Sequence, residues 1–376
     1  MILSFWEKDL LQEKFDVTIL GAGITGISTA ISLKEKNKNL KICIIERAAV
    51  SLGASTKNAG FACFGSPTEI LADLKNVGIE TTSRIILMRY KGLQKLKQRI
   101  PSSKMLYQSC GGYEIYKKDD VSFEKVQDNL SWLNEYLSDL LGLEKVYALQ
   151  KNKVLPTFHE EWVFNPYEGS LHPGKMMDYL HQLATNLGVV IKRNVHVQKI
   201  DVSNNRLLTE DGLVIHYENL CVCTNGFAQS LFPTIPVLAA RNQVLITKPL
   251  GSIPFSGCFH YDEGYYYFRH YNDRILLGGA RNLDLENELT DQFGSTDIIQ
   301  RALLQFLENI CPGASQQVEM WWSGILGIGN DKEPYVQWVK NNIICGVRLG
   351  GMGVAIGSHL GDLLADNIIL KLERKE

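Results

Sequence analysis

Gly21-Ala22-Gly23-Ile24-Thr25-Gly26 stands between the apolar run Asp16-Val17-Thr18-Ile19-Leu20 and a stretch from Ile24 to Lys36 in which Ile27, Ala30, Ile31 and Lys34 recur at helical spacing. A second apolar run, Lys41-Ile42-Cys43-Ile44-Ile45, ends in Glu46, 20 residues beyond Gly26. Strand, glycine turn, helix, strand and acid follow the order and spacing of a dinucleotide-binding βαβ unit. Gly21 permits the tight turn, Gly23 lets the backbone approach a pyrophosphate, and Gly26 lets helix and strand pack closely. The helix N-terminus offers free N–H groups and a partial positive charge to phosphates. Glu46 can accept ribose hydroxyl hydrogen bonds and repels a 2′-phosphate, which argues against NADP.

The chain has 376 residues, enough for a large core and two domains, and its 45% apolar content is that of a folded globular protein. Net charge is −2 with no basic block or arm, which argues against nucleic acid as a partner. Met1 to Phe15 carries Glu7, Lys8, Asp9, Glu13 and Lys14 and lacks the apolar core of a signal peptide. No apolar run reaches the length of a transmembrane segment. The eight cysteines (43, 63, 110, 221, 223, 258, 311 and 345) include no C-x-x-C pair and no zinc spacing, so no metal site is expected. Cys221 and Cys223 alternate in an apolar strand and read as small core side chains. This usage fits a reducing compartment, most simply a cytoplasmic one.

Further along, helices are expected over Pro67 to Arg99, Val121 to Leu141, Lys175 to Leu187, Thr296 to Asn309 and Val354 to Leu370. Strands are expected over 111–117, 189–193, 195–202, 207–217 around an Asp211-Gly212 turn, 220–224, 241–247, 264–270, 274–278 and 343–347. Pro156 to Glu168 reads as aromatic and irregular.

Several motifs then accumulate: Ser51-Leu52-Gly53-Ala54-Ser55-Thr56-Lys57-Asn58-Ala59-Gly60-Phe61, Val197-Gln198-Lys199-Ile200, Cys223-Thr224-Asn225-Gly226, Arg241-Asn242-Gln243, Arg274-Ile275-Leu276-Leu277-Gly278-Gly279-Ala280, Trp322-Ser323-Gly324 and Gly350-Gly351-Met352-Gly353. Over essentially its whole length the chain resembles the D-amino-acid oxidase family of FAD-dependent oxidoreductases, which includes glycine oxidase, sarcosine oxidase and gamma-glutamylputrescine oxidase. The resemblance implies an α/β fold: a discontinuous Rossmann-type FAD-binding domain and a second α+β substrate domain built on a mixed β-sheet. The expected boundaries are 1–90, 145–236 and 320–376 for the FAD-binding domain, and 91–144 and 237–319 for the substrate domain.

By the same likeness, Gly21, Gly23, Ile24, Thr25 and Gly26 meet the pyrophosphate, Glu46 takes the adenosine ribose, and Arg47 lies near the adenine. Ala54, Ser55, Thr56, Asn58, Ala59, Gly60 and Phe61 run past the pyrophosphate, ribityl chain and ring. Val197 reaches the adenine side through its backbone, and Thr224, Asn225 and Gly226 close the nucleotide side. Arg348, Gly350, Gly351, Met352, Gly353 and Val354 bring N–H groups and a helix N-terminus to the flavin's pyrimidine end, where a positive helix end favours the reduced state. Asn225-Gly226 also reads as a simple turn, and Lys57 as a solvated loop residue.

Gly264-Tyr265-Tyr266-Tyr267-Phe268-Arg269 is the local candidate for a substrate wall, since in a strand Tyr265, Tyr267 and Arg269 share one face. The other reading is an aromatic strand packed in the core. Phe61, Phe64, Tyr265, Tyr267, Arg269, Trp322 and Arg348 are the cavity candidates, and no residue is assigned as an acid or base. Three departures qualify the likeness. The arginine that grips an amino-acid carboxylate in glycine oxidase falls on Leu326, leaving Arg269 or Arg348 to replace it; Trp322-Ser323-Gly324 is closer to the gamma-glutamylputrescine oxidase branch. The cysteine that attaches flavin in sarcosine oxidases has no counterpart in Gly324 to Asp331, so FAD is expected to be non-covalent. The oxygen-activating lysine of sarcosine oxidases falls on Leu276, leaving oxygen or a quinone as acceptor.

The expected function is oxidation of a C–N bond of a small amine or amino acid by hydride transfer to flavin, giving an imine that hydrolyses. The alternatives are oxidation of a 2-hydroxy acid, with His260 or His270 as base, and a flavin-binding protein without turnover.

Overall fold

The structure is a computed structural model and describes residues 4–6 and 13–374. Four apolar stretches, VTIL, ICII, NLCV and IICGV, are buried throughout, as strands covered on both faces must be. They form the centre of a six-stranded sheet ordered Tyr335–Lys340, Ile343–Val347, Asn219–Val222, Val17–Leu20, Ile42–Ile45, Val190–Lys192. Pairing is parallel except at the Tyr335–Lys340 edge. The chain leaves Val17–Leu20 on one side to Ile42–Ile45 and returns on the other at Asn219–Val222, so a switch point lies at the carboxyl ends of these strands.

Helices Ile24–Lys36 and Gly353–Glu373 cross in close contact over this sheet. A β-carbon on Gly357 would stand 2.7 Å from Ile24 Cγ2, and one on Gly361 2.6 Å from Ser28 Cβ. The two glycines thereby bring both helix N-termini to the same end of the sheet. The expected helix Pro67–Arg99 is present but broken at Gly78 (φ 78°, ψ 167°), a conformation open essentially to glycine alone.

The second sheet has eight strands, ordered Val318–Ile328, Leu238–Thr247, Arg274–Gly279, Tyr266–Tyr271, Cys258–Tyr261, Gly112–Glu114, Glu161–Asn165, Ala148–Lys151. It is mixed, because Cys258–Tyr261 runs parallel to Gly112–Glu114. Helix Asp297–Ile310 covers one face, where Leu303, Phe306 and Leu307 pack on Leu245, Phe259, Phe268 and Leu277. The other face carries Val244, Tyr267 and Leu276 against Ala59 and Phe61. Smaller pieces are an antiparallel sheet of Val197–Asp201, Arg206–Thr209 and Val214–His216, and a ribbon pairing Phe61–Ala62 with Gly169–Ser170.

Several elements depart from the sequence reading, Ala148–Lys151 and Val318–Ile328 among them as strands. Pro156 to Glu168 is not wholly irregular: Glu161–Asn165 is a strand paired on both sides, whose adjacent buried Trp162 and Val163 hide the period-two signal. Cys258–Tyr261 and Tyr335–Lys340 are strands without an expected counterpart. Strands Ala148–Lys151, Glu161–Asn165 and most of Val318–Ile328 hydrogen-bond in the eight-stranded sheet, although they fall in the intervals 145–236 and 320–376 expected for the FAD-binding domain.

Candidate active site

A cleft of about 550 Å³ opens at the carboxyl ends of Val17–Leu20 and Ile42–Ile45 and runs to the face of the eight-stranded sheet that carries Val244 and Tyr267. Its nucleotide end is built by close backbone approach. Gly21 has φ +103°, and a β-carbon there would stand 2.8 Å from the Cys223 carbonyl oxygen. Gly23 is extended and caps helix Ile24–Lys36 without a side chain; a β-carbon on it would meet Ser55 Oγ at 3.0 Å. Gly26 lies behind the cleft wall, against the Gly21 carbonyl. Ser55 Oγ accepts the Ile24 N–H (2.9 Å), so the loop is tied to the first helix turn. Glu46 is buried, its Oε2 accepting the Ala22 N–H (2.9 Å) and its Oε1 the Ala48 N–H (3.2 Å). Arg47 is exposed with its guanidinium 3.9 Å from the centre of the Phe227 ring.

Ile24, Thr25, Ala54, Ser55, Asn58, Ala59, Gly60, Phe61, Val197, Thr224 and Asn225 line the cleft, as do Gly350, Gly351, Met352, Gly353 and Val354. Thr56 and Gly226 act from behind it: Thr56 Oγ1 donates to Ser51 O (2.7 Å), and a β-carbon on Gly226 would stand 2.4 Å from Leu326 O. Asn225 has φ +48°, and its Oδ1 accepts the Arg348 N–H (3.0 Å), so this segment joins the two halves of the wall rather than merely turning. Lys57 also lines the cleft, its Nζ 5.1 Å from the Phe293 ring centre.

The cavity candidates separate. Phe61, Tyr265 and Tyr267 line the cleft. Phe61 meets Tyr267 edge to face (5.7 Å), and Tyr267 Oη accepts from Asn242 Nδ2 (3.0 Å). Phe64 does not line it: fully buried, it packs on Tyr90 in the core beneath the nucleotide sheet. Arg269 shares the Tyr267 face but lies further along the strand, buried under the segment after Ser170, where its guanidinium donates to Leu171 O (3.0 Å). Trp322 packs with Ala59, Val244 and Leu276 outside the cleft and donates its indole N–H to Lys57 O (2.9 Å). Arg348 does line the cleft, but its side chain is committed to Glu333 O (2.9 Å), Pro236 O (3.3 Å) and Asp331 (3.4 Å). Neither Arg269 nor Arg348 therefore presents a free guanidinium to a substrate. Leu326 lines the cleft beside Gly351.

The substrate end holds charges with no local sequence signal. Arg89 is buried, donating to Phe64 O (3.2 Å) and Glu69 Oε1 (2.8 Å), and Lys332 lies against Asp73 and 4.0 Å from Glu69. Burial opposes ionisation of Glu69, but the Arg89 and Lys332 charges outweigh it and hold the carboxyl below its ordinary range. Glu69 and Arg89 fall on opposite sides of the Gly78 break, so helical periodicity cannot pair them. His260 meets Phe61 edge to face (5.2 Å) and stands 3.5 Å from Glu168 Oε2. Burial works against its charge, yet Cys63 and the Glu168 carboxylate prevail and raise it well above 6.5.

A cradle that β-carbons would fill, two converging helix N-termini and a buried acid suit a dinucleotide, and the aromatic chamber beyond them suits a flavin ring with its substrate. The architecture is thus that of a flavin-dependent oxidoreductase. Residues 16–367 match the family described as DAO, FAD dependent oxidoreductase, and the chain belongs to that family. It is an enzyme that uses FAD, and Gly324–Asp331 contains no cysteine for a covalent link.

The chain is similar to a probable oxidoreductase, OrdL, of Haemophilus influenzae, with 23% identity over 96% of this chain and 84% of that protein. It is 22% identical to the bifunctional protein ThiO/ThiG of Synechocystis, over 96% of this chain and 52% of the other. Among solved structures, L-proline dehydrogenase from P. horikoshii has the same fold (TM-score 0.75, 15% identity, 95% and 94% of the two chains). So does glycine oxidase from Bacillus cereus (TM-score 0.73, 16% identity, 95% and 96%). No helix among the described residues is long and apolar enough to cross a membrane.

Proposed function

We propose that the chain oxidises a C–N bond of a small amine or amino acid to an imine, which then hydrolyses, with oxygen or a quinone as final acceptor. Bound FAD supplies the capacity to accept hydride from the substrate carbon. The protein's part is orientation. Phe61 and Tyr267 form an edge-to-face wall that keeps water from the reacting carbon. The N-termini of Ile24–Lys36 and Gly353–Glu373 place partial positive charge along the cleft.

The observation that carries the reading is the state of His260. Oxidation of a hydroxy acid calls for a base that takes the hydroxyl proton. Two histidines line the cleft among the described residues; His196 is at the nucleotide end, and His260 turns its Nε2 toward the Glu168 carboxylate at 3.5 Å, which raises its pKa and opposes its service as a base. A protonated imidazole donates and does not accept, which favours C–N over C–O oxidation.

The position of Leu326 offers no cation to an amino-acid carboxylate. With Leu326 apolar and Arg269 and Arg348 committed, the remaining cations at the substrate end are Lys57, Arg89, Arg281, Lys332 and His260. Anaerobic mixing with primary and secondary amines, amino acids and 2-hydroxy acids tests the reading. Loss of the visible flavin band with an amine or amino acid is expected. Bleaching by hydroxy acids alone would overturn it.

A further inference from the structure

We propose that Cys110 and Cys258 form a peroxide-responsive thiol pair, Cys110 being the sulfur oxidised and Cys258 the sulfur that closes a disulfide onto it. The two come from segments 148 residues apart, yet their Sγ atoms are 3.9 Å from each other. Cys258 N donates to Gly111 O (3.4 Å), and Cys258 is the ladder partner of Gly112, so the two backbones already run side by side. A disulfide would close this gap to roughly 2.05 Å.

The surroundings divide the labour. Cys110 is half-buried beside exposed Ser109, and is the more accessible sulfur of the two. Cys258 is buried, with its thiol directed at Gly169 O (3.5 Å). Arg269 lies beside both sulfurs, and its buried Nε has no hydrogen-bond partner. The Cys258 thiol, with Ser170 and Arg269 assisting, lowers Cys110 to about 6 despite partial burial. The Cys258 thiol is shifted in the opposite sense, well above the ordinary range, by Cys110 and by burial. Cys110 meets the oxidant as a thiolate, and its oxidation removes the neighbouring charge that raises Cys258, easing loss of the Cys258 proton as that sulfur attacks.

The chemistry balances with a hydroperoxide as oxidant. The Cys110 thiolate attacks one peroxide oxygen, the O–O bond breaks, and with one proton taken up water leaves, giving the sulfenic acid. Cys258 sulfur then attacks Cys110 sulfur, the S–O bond breaks, and the hydroxyl leaves as water with the Cys258 proton. Overall two thiols lose two electrons and the peroxide gains them.

A contrast within the molecule sharpens the assignment. Cys221 and Cys223 also lie close, at 3.6 Å, but both are buried. In extended backbone, residues two apart put their Cα atoms about 6.6 Å from each other, at the limit of disulfide geometry. The Cys221 thiol is held well above its ordinary range by Cys223 and by burial.

The test uses the full-length FAD-loaded protein, treated with equimolar hydrogen peroxide, alkylated and digested without reductant. A Cys110–Cys258 linked peptide that dithiothreitol abolishes is expected, with Cys221 and Cys223 still alkylatable after unfolding. In Cys258→Ser a dimedone adduct should collect on Cys110. In untreated protein the alkylation rate of Cys110 should reach half its plateau near pH 6, while that of half-exposed Cys311, raised by burial, keeps climbing into the alkaline range. Cys110 recovered as sulfinic acid with Cys258 free, a Cys221–Cys223 link in its place, or parallel pH profiles for Cys110 and Cys311 would each overturn the proposal. These readouts do not depend on turnover, so they stand apart from the proposed reaction.

Discussion

A β-carbon on Gly26 would stand 2.0 Å from the carbonyl oxygen of Gly21 and 3.2 Å from Ile19 Cγ2. The first helix is thus seated directly on the turn that feeds it, with no room for a methyl group. Gly26→Ala must push helix and turn apart, an overpacking cost of about 1–3 kcal/mol, and it moves the Ile24 and Thr25 N–H groups away from the cleft. The variant should purify with little bound FAD and melt several degrees lower. Gly53→Ala is the control, because Gly53 has φ −74° and nothing within 4 Å of its added β-carbon. The flavin-to-protein absorbance ratio and the melting temperature measure both. Equal FAD content in the two variants would contradict the account.

Trp322 acts on the cleft from outside it. Its indole N–H holds Lys57 O at 2.9 Å and so fixes the end of the short helix Ala54–Lys57, whose Ser55 caps the nucleotide helix. Trp322→Phe keeps most of the packing on Ala59 and Val244 but removes the donor. The net loss should be about 1 kcal/mol, appearing as faster FAD release with little change in the Km for substrate. Fluorescence recovery on flavin dissociation checks the first, steady-state kinetics the second.

Periodicity works where a segment's neighbours are its own sequence neighbours. The turn Gly21 to Gly26, the acid at Glu46 and the glycines before Val354 are legible because local backbone geometry and the distant acid have fixed spacing. Tyr267 and Arg269 share a strand face, as alternation requires, but alternation is silent on what covers each end of that face. The Leu171 segment covers the Arg269 end and takes its guanidinium. Trp322 fails for a related reason: an aromatic near the flavin segment can line the chamber or brace its wall, and only the path of Lys57 decides. The Glu69–Arg89 pair joins residues across a broken helix, and the His260–Glu168 pair joins a strand to the turn that precedes Gly169–Ser170, far away in sequence. No window of sequence contains either relationship.

The His260–Glu168 pair carries a pH signature. Cys63 and the Glu168 carboxylate raise His260 well above 6.5 against the opposing effect of burial. A group whose folded pKa exceeds its unfolded value adds stability that is fully present below about pH 6.5 and lost as pH rises through the folded value. His260→Gln should therefore lower the melting temperature most at pH 5.5–6.5, on the order of several degrees, and the gap from the parent should narrow on the alkaline side. Melting curves from pH 5.5 to 10 measure it. A gap that widens with rising pH would mean that the buried ring is neutral.

Leu326 tests where the cation for a substrate carboxylate stands. It lines the cleft with its Cδ1 3.7 Å from the position of a β-carbon on Gly351. No other guanidinium substitutes from the same wall, since Arg348 is held by Glu333, Pro236 and Asp331. A hydrogen bond to a charged group contributes about 1.5–3 kcal/mol, which corresponds to roughly ten- to a hundredfold in affinity. Leu326→Arg should lower the apparent Kd for glycine and other small amino acids by that factor, read from anaerobic flavin reduction, while uncharged amines of similar size bind equally well or worse. If the variant binds FAD normally and its amino-acid affinity does not change, the cation for the carboxylate stands elsewhere, and Arg89 with Lys332 becomes the next position to exchange.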